Sequence, residues 1–153
     1  MKICQANTVQ RLVLARALFD EYRAWLGIDL SFQGFAEELA ALPGLYGPPR
    51  GRLLLALAGR EAAGCVALRP LDEGVCEMKR LFVRAHFRGQ GVGQRLVEHI
   101  VEEARAIGYL RMRLGTLPSM QAAIRRYETL GFVRCAAYYK TPLPDTVFME
   151  LQL

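Results

Sequence analysis

The sequence lacks the features that mark secreted, membrane-spanning and metal-binding proteins. Its four cysteines are scattered, with no close pair of the kind that binds zinc or carries out dithiol chemistry; they are Cys4, Cys65, Cys76 and Cys135. No apolar run approaches the ~20 residues of a membrane span, and the first residues do not have the layout of a signal peptide. We therefore expect reduced, buried cysteines, no metal ion, no membrane association and a cytoplasmic protein.

Lysine is also scarce, whereas arginine is abundant. Only three of the 20 basic residues are lysines, namely Lys2, Lys79 and Lys140, and the formal net charge is +5. Arginine pairs well with phosphate and carboxylate oxygens, so this composition suggests an anionic partner, although a general preference for arginine in the genome explains it equally well. The basic residues form no known nucleic-acid-binding motif with aromatic residues, and we expect no nucleic-acid partner.

Length and hydrophobicity favour one domain. The chain has 153 residues, of which 52% are hydrophobic and 23% charged, so it has the size of a single domain and enough apolar residues for a core. We expect that domain to span residues 1–153.

Hydrophobic periodicity divides the chain into helices and strands. Helical spacing occurs in four segments: residues 9–25, the stretch from Ser31 to Pro43, 91–107 and 120–130. Seven segments resemble strands: residues 2–6, 52–58, 62–68, 75–83, 110–114, 132–138 and 146–151. Thr8 and Ser31 are expected as N-caps and Gly108 as a C-cap. The fold class is therefore predicted as α+β, with a mixed, mostly antiparallel sheet of about seven strands, one parallel crossover and about four flanking helices.

A glycine-rich loop joins the strand at 75–83 to the helix at 91–107. Its sequence is Arg88-Gly89-Gln90-Gly91-Val92-Gly93. Helix N-termini carry unpaired N–H groups and positive dipole charge, and glycines let an anion approach them, so the loop predicts a phosphate or pyrophosphate site. The Gly-Lys-Ser/Thr of a P-loop is absent, and the next strand has no carboxylate for a dinucleotide-binding fold. The alternative is an ordinary tight turn.

The loop fits the pattern Arg/Gln-x-x-Gly-x-Gly/Ala, and with this pattern the sequence resembles the GNAT superfamily of acetyl-CoA-dependent N-acetyltransferases. The segment Glu77-Met78-Lys79-Arg80-Leu81-Phe82-Val83 is similar to that family's fourth strand. The segment Ile124-Arg125-Arg126-Tyr127-Glu128-Thr129-Leu130-Gly131-Phe132-Val133 is similar to its final helix and turn. Together these motifs cover residues 75–133.

The resemblance implies a set of acetyl-CoA contacts. The pyrophosphate would bind backbone N–H groups of the loop and the first helical turn: Arg88, Gly89, Gln90, Gly91, Val92, Gly93 and Gln94. The pantetheine arm would lie against the backbone of the fourth strand at Leu81, Phe82 and Val83, and a backbone N–H there would bind the thioester oxygen. Met120 stands where many relatives have asparagine and implies a van der Waals contact, while Arg126 is a further expected contact and Arg84 could add positive charge beside Arg88.

The resemblance also implies catalytic roles. Tyr127 matches a tyrosine that donates a proton to the departing thiolate, with a core aromatic residue as the alternative. Glu77 is the best candidate for a base, acting directly or through water. Strand alternation would place it on one face with Lys79, Leu81 and Val83, and the alternative is a Glu77–Lys79 surface pair.

The expected function is transfer of acetyl from acetyl-CoA to a primary amine of a small molecule or peptide. The second hypothesis is a non-catalytic acyl-CoA-binding sensor or interaction module. Two groups of residues are candidates for an acceptor pocket: Tyr138, Tyr139 and Lys140, and the aromatic residues Tyr22, Trp25, Phe32 and Tyr46, which fit core packing equally well. His86 is a weaker candidate for catalysis, His99 is expected in solvent, and a homodimer is possible for a domain of this size.

Overall fold

A twisted seven-stranded sheet forms the centre of the molecule in a computed structural model that describes residues 1–153. The strands are β1 (Lys2–Gln5), β2 (Arg52–Ala58), β3 (Glu61–Asp72), β4 (Val75–Val83), β5 (Arg111–Thr116), β6 (Val133–Arg134) and β7 (Val147–Gln152). The helices are α1 (Val9–Leu26), α2 (Phe35–Ala40), α3 (Val92–Ile107) and α4 (Gln121–Thr129). The strand order is β1-β2-β3-β4-β5-β7-β6, and every neighbouring pair is antiparallel except β4 and β5. The predicted fold class and the single parallel crossover are confirmed.

The parallel pair β4–β5 is short, and this opens the sheet. Its ladder joins Val75–Glu77 to Arg111–Arg113 only, at the amino ends of the two strands. Beyond Glu77 the strands diverge, while β4 keeps its other neighbour, β3, as far as Val83. The divergence leaves the β5-facing backbone edge of β4 without a partner strand.

The helices cover both faces of the sheet. Helices α3 and α4 pack over a cluster of 23 buried residues, whereas α1 and α2 pack on the opposite face over a cluster of 14. The predicted apolar stripe of α3 is wholly buried; it consists of Leu96, Val97, Ile100, Val101 and Ala104. Such a stripe anchors a helix through burial of apolar area. The sheet with its two covered faces therefore gives a rigid base for the open end of β4 and β5.

A β-bulge in β4 overturns one expectation. Cys65 pairs with Phe82 and Ala67 with Lys79, so two residues of β4, Arg80 and Leu81, stand opposite the single residue between them in β3. Arg80 adopts a left-handed φ of 63°, and the bulge reverses the side-chain alternation that follows it. Leu81 therefore packs toward α3, on the opposite face from Lys79.

Glu77, Lys79, Leu81 and Val83 thus do not share one face, as simple alternation had predicted. Val83 packs toward α3 with Leu81, whereas Glu77 and Lys79 line a pocket on the other side of the strand. A period-2 pattern cannot register the extra residue of a bulge, which is the reason for the wrong prediction.

The segment boundaries also show two differences. The helix expected after Ser31 is divided by Gly34, whose φ of 68° ends a short 3₁₀ turn at Ser31–Gln33 before α2 begins. Ser31 makes no side-chain cap, in contrast to Thr8, whose Oγ1 accepts a hydrogen bond from the Arg11 N–H at 3.1 Å. The strand expected at 132–138 is reduced to Val133–Arg134, and the rings of Tyr138 and Tyr139 further along pack against Phe148.

Candidate active site

A cavity of about 490 Å³ lies where β4 and β5 diverge. We call it the cofactor cleft; its walls come from the end of α1, the end of β4, the segment before α4, and α4 itself. Seven residues expected at the site from the sequence line it: Leu81, Phe82, Val83, Arg88, Met120, Arg126 and Tyr127. The bulge and the divergence of the strands together explain this position, because they separate the backbone of β4 from its parallel neighbour.

The glycine loop lies beside the cofactor cleft, which it lines through Arg88 alone. Gly89 and Gly91 have φ values of 79° and 78°, a conformation that side-chain-bearing residues rarely adopt. Gly91 is the N-cap of α3 and has no side chain to bind the free N–H groups of the first turn, formed by Val92, Gly93 and Gln94. That turn also contains no acidic residue, so its N–H groups and dipole remain available to an anion.

Arg126 adds a positive charge at the same place. Its guanidinium lies directly over Gly93, so that a Cβ on Gly93 would stand 3.0 Å from the Arg126 Cζ. Arg126 has no ion-pair partner within the protein. A Cβ at Gly93 would therefore displace the end of the Arg126 side chain, which supplies positive charge beside the helix N-terminus.

Arg88 has a positioning role in this structure. Its Nε donates to the Val83 carbonyl at 2.9 Å, and its guanidinium lies 4.8 Å from the ring centroid of Trp25. The Arg88 side chain therefore connects the glycine loop to α1 and to the end of β4 across the cofactor cleft.

The other basic groups near the loop are already paired. Arg84 forms a 2.6 Å ion pair with Glu21, so its guanidinium is held away from the helix N-terminus. His86 contacts Glu61 at 2.9 Å on the surface, and the exposed His99 contacts the carbonyl of Arg95. These three side chains lie outside the cofactor cleft.

Tyr127 presents a phenol to the cofactor cleft from α4. Its side chain is only 5% exposed and its ring packs against Phe132 with a centroid separation of 5.6 Å. Burial raises the pKa of Tyr127, with a smaller opposing effect from the positive charge of Arg126. The phenol is therefore protonated at neutral pH and can act as a proton donor at the cleft wall.

Glu77 occupies a different place. It is 3% exposed, and both of its carboxylate oxygens are engaged: Oε1 accepts from Arg69 Nε at 2.8 Å and Oε2 from the Tyr138 hydroxyl at 2.7 Å. The surface pair with Lys79 considered from the sequence does not form. Burial, followed by the charge of Glu77, raises the pKa of Tyr138.

Glu77 belongs to a second cavity, of about 270 Å³, which we call the basic pocket. Its lining residues are Phe32, Gln33, Arg69, Leu71, Glu77, Lys79, Tyr138, Tyr139 and Lys140. The expected cluster of Tyr138, Tyr139 and Lys140 is thus part of this pocket. Of the other candidate aromatic residues, Trp25 lines the cofactor cleft and Tyr46 is a core residue whose hydroxyl binds Glu38.

A narrow cavity of about 50 Å³, which we call the neck, lies between the two larger ones. It shares Leu26, Leu117 and Met120 with the cofactor cleft. It shares Gln33 and Tyr139 with the basic pocket. The three cavities therefore adjoin in a row across the open end of the sheet.

Sequence reasoning missed the polar cluster that holds the bulge. Arg80 is 4% exposed; its guanidinium binds both Glu38 oxygens, at 2.8 and 3.1 Å, and donates to Gln33 Oε1 at 2.8 Å. These partners lie more than 40 positions away, so no local pattern indicates them. Arg69 could have been found, because it stands directly opposite Glu77 across the β3–β4 hairpin.

A helix N-terminus beside a splayed strand edge and a buried phenol defines a class of site, one suited to a phosphate-bearing cofactor with an extended arm. Residues 14–132 match the acetyltransferase (GNAT) family, and the chain belongs to this family. It is an N-acetyltransferase, and its membership of this family supports transfer of acetyl from acetyl-CoA. The predicted family is confirmed.

One relative supports the family assignment, and two solved structures have a similar fold. An uncharacterized N-acetyltransferase of Schizosaccharomyces pombe is 41% identical over 140 residues, which cover 90% of this chain and 86% of the relative. A GNAT acetyltransferase from Staphylococcus aureus Mu50 has a similar fold, with a TM-score of 0.81 at 18% identity and coverage of 99% and 98%. A GNAT acetyltransferase from Elizabethkingia anophelis, solved with acetyl-CoA bound, aligns with a TM-score of 0.59 at 24% identity and coverage of 67% and 76%. No helix of the present chain has the length and apolarity to span a membrane.

Proposed function

We propose that this protein transfers acetyl directly from acetyl-CoA to a primary amine of a small molecule or peptide, within one ternary complex. The observation that carries the proposal is the placement of three neighbouring cavities: the neck shares wall residues with the cofactor cleft, where Tyr127 lies, and with the basic pocket. An acetyl group at the inner end of the cleft and an amine at the neck would then meet without a covalent enzyme intermediate.

The loop and helix α3 would hold the pyrophosphate. The free N–H groups of residues 89–94 and the guanidinium of Arg126 would supply donors and positive charge at one point. The Arg88 N–H, expected among these donors, is instead taken by the Ala85 carbonyl at 3.2 Å. The unpartnered edge of β4 at Leu81, Phe82 and Val83 would bind the amide groups of the pantetheine arm, as an added strand binds a sheet edge. Met120 would contact the arm from the opposite wall.

The reaction then needs three things from the chain. The nitrogen lone pair of the neutral amine attacks the thioester carbonyl, and a backbone N–H at Phe82 or its neighbour would stabilise the oxyanion. Collapse of the tetrahedral species breaks the C–S bond, and Tyr127 would give its proton to the thiolate. The proton lost by the amine would pass through water to Glu77, whose carboxylate lies on the acceptor side.

Replacing Tyr127 with phenylalanine tests the catalytic arrangement. Tyr127→Phe keeps the ring packed against Phe132 but removes the proton donor, so we expect kcat to fall about tenfold or more. The dissociation constant of acetyl-CoA should remain nearly unchanged. Thiol release measures kcat, and calorimetry measures binding.

Tyr109→Phe is the matched control. Tyr109 is also buried, and its hydroxyl donates to the Arg50 carbonyl at 2.8 Å, but it precedes β5 at the opposite end from the cofactor cleft. The kcat of the Tyr109→Phe variant should equal that of the unmodified protein. A fully active Tyr127→Phe variant would show that Tyr127 is a structural residue. A protein that binds acetyl-CoA but acetylates no amine would support the sensor hypothesis instead.

A further inference from the structure

The basic pocket contains more positive charge than its own carboxylate can neutralise. Three cations line it, Arg69, Lys79 and Lys140, against the single carboxylate of Glu77. Arg69 and the Tyr138 hydroxyl occupy the two oxygens of that carboxylate. Glu77 therefore neutralises Arg69 and leaves the two lysines without a counter-charge.

A second carboxylate close to Lys79, that of Glu38, is also engaged. Glu38 binds Arg80 through both oxygens, and one of those oxygens also accepts a hydrogen bond from Tyr46. Lys79 Nζ itself has one acceptor, Gln33 Oε1 at 3.3 Å, and this same oxygen is shared with Arg80. Lys79 is thus a partly buried ammonium group that has no ion pair.

A partly buried, unpaired charge is unfavourable for the folded protein. Burial lowers the pKa of Lys79 to about 8, and the positive charge of Arg80 contributes to the same direction. An anion placed against Lys79 would remove this penalty and would form a charge-assisted hydrogen bond. The cavity of about 270 Å³ beside it leaves room for a small organic anion.

We propose that Lys79, with Lys140 at the rim, binds a carboxylate of the acceptor, so that the acceptor is a small amine carrying a carboxylate, such as an amino acid. This inference rests on the proposed function. The single partly buried cation without an ion pair matches one negative charge of the acceptor. From this anchor, the neck between Tyr22 and Tyr139 leads toward the cofactor cleft, and its volume of about 50 Å³ admits an amino group.

Matched pairs of acceptors test this proposal. The probes are L-amino acids, β-alanine and 4-aminobutyrate, each compared with its own carboxamide, and the measured quantity is kcat/KM for acetylation. An acid and its amide differ in amine basicity, so their values within one protein are not a clean comparison. The informative quantity is the ratio of kcat/KM for the acid to kcat/KM for its amide, and this acid-to-amide ratio is compared between protein variants. Lys79→Met removes the charge and keeps the length of the side chain.

We expect Lys79→Met to lower the acid-to-amide ratio by about tenfold or more, the range of a hydrogen bond to a charged group. Lys79→Arg should restore most of the ratio. Lys2→Met, which removes an exposed lysine from β1, is the matched control and should leave the ratio unchanged. An unchanged ratio in Lys79→Met, with a normal thermal melting curve, would overturn the proposal.

A second measurement separates this proposal from the proposed function. If no pair is acetylated, the kinetic comparison has no value to report, and calorimetric titration of the same acids into CoA-saturated protein decides the anion site. Heat of binding that is lost in Lys79→Met supports the site, whereas no heat with any acid in the unmodified protein overturns it.

Discussion

Adding a negative charge at Gly91 should weaken acetyl-CoA binding strongly. Gly91 caps α3, where the free N–H groups of the first turn meet the expected pyrophosphate. A Cβ at Gly91 would have no neighbour within 4 Å, so a side chain added there starts into open space. The comparison is between Gly91→Glu and Gly91→Gln, which have the same size and differ in charge.

The magnitude follows from two effects. Both variants must adopt the left-handed φ of 78°, which costs about 1–2 kcal/mol for a residue with a side chain and cancels in the comparison. Two negative charges about 6 Å apart repel by roughly 3 kcal/mol at an effective dielectric constant of about 20. Salt screening and side-chain motion reduce this value, so we expect Gly91→Glu to bind acetyl-CoA about tenfold to a hundredfold more weakly than Gly91→Gln.

Calorimetric titration with acetyl-CoA at low and high salt is the assay. The difference between the two variants should narrow as salt increases, because the added carboxylate acts through space. Equal dissociation constants for both variants at low salt would refute the assignment of the loop as the pyrophosphate site.

The remaining predictions concern stability. Glu38→Leu leaves the buried guanidinium of Arg80 without its counter-charge, so we expect a loss of about 3–5 kcal/mol in the free energy of unfolding, measured with urea. Glu37→Leu, at the exposed neighbouring position, is the control. An equal loss in both variants would contradict the role of the ion pair. Lys79→Met should stabilise the fold at pH 7. The pKa of Lys79 lies near 8 in the folded protein against a reference value of 10.5. Between these pH values the folded form binds fewer protons than the unfolded form, so the unmodified protein gains stability as pH rises through this window. The increase in the free energy of unfolding caused by Lys79→Met should therefore shrink between pH 8 and 10.5. An increase that does not depend on pH would contradict the assignment of an unpaired charge.

Much of the fold could be predicted because it depends on local patterns. The apolar stripe of α3 and the glycine at its end predict a buried helix, and the structure has that helix with Gly108 as its cap. The glycine loop could be placed at a helix N-terminus because a strand precedes it and helical spacing follows it. The parallel crossover could then be predicted from chain order, because β4, α3 and β5 are consecutive.

The interior of the site could not be predicted because it depends on long-range contacts and on one irregularity. The bulge at Arg80 adds a residue that alternation does not register, and it places Leu81 and Lys79 on opposite faces of β4. The bulge is held by Glu38, 42 positions earlier in the chain. The pairing of Glu77 with Tyr138 spans 61 positions, so its engagement had no local indication either.

The most direct test of the account is transfer itself, followed with acetyl-CoA carrying a ¹³C-labelled acetyl group. In a mixture of the protein, this donor and the panel of amines, we predict one labelled amide for each CoA released, with carboxylate-bearing amines consumed first. Saturable acetyl-CoA binding with no labelled amide from any amine would contradict acetyl transfer as the function of the site.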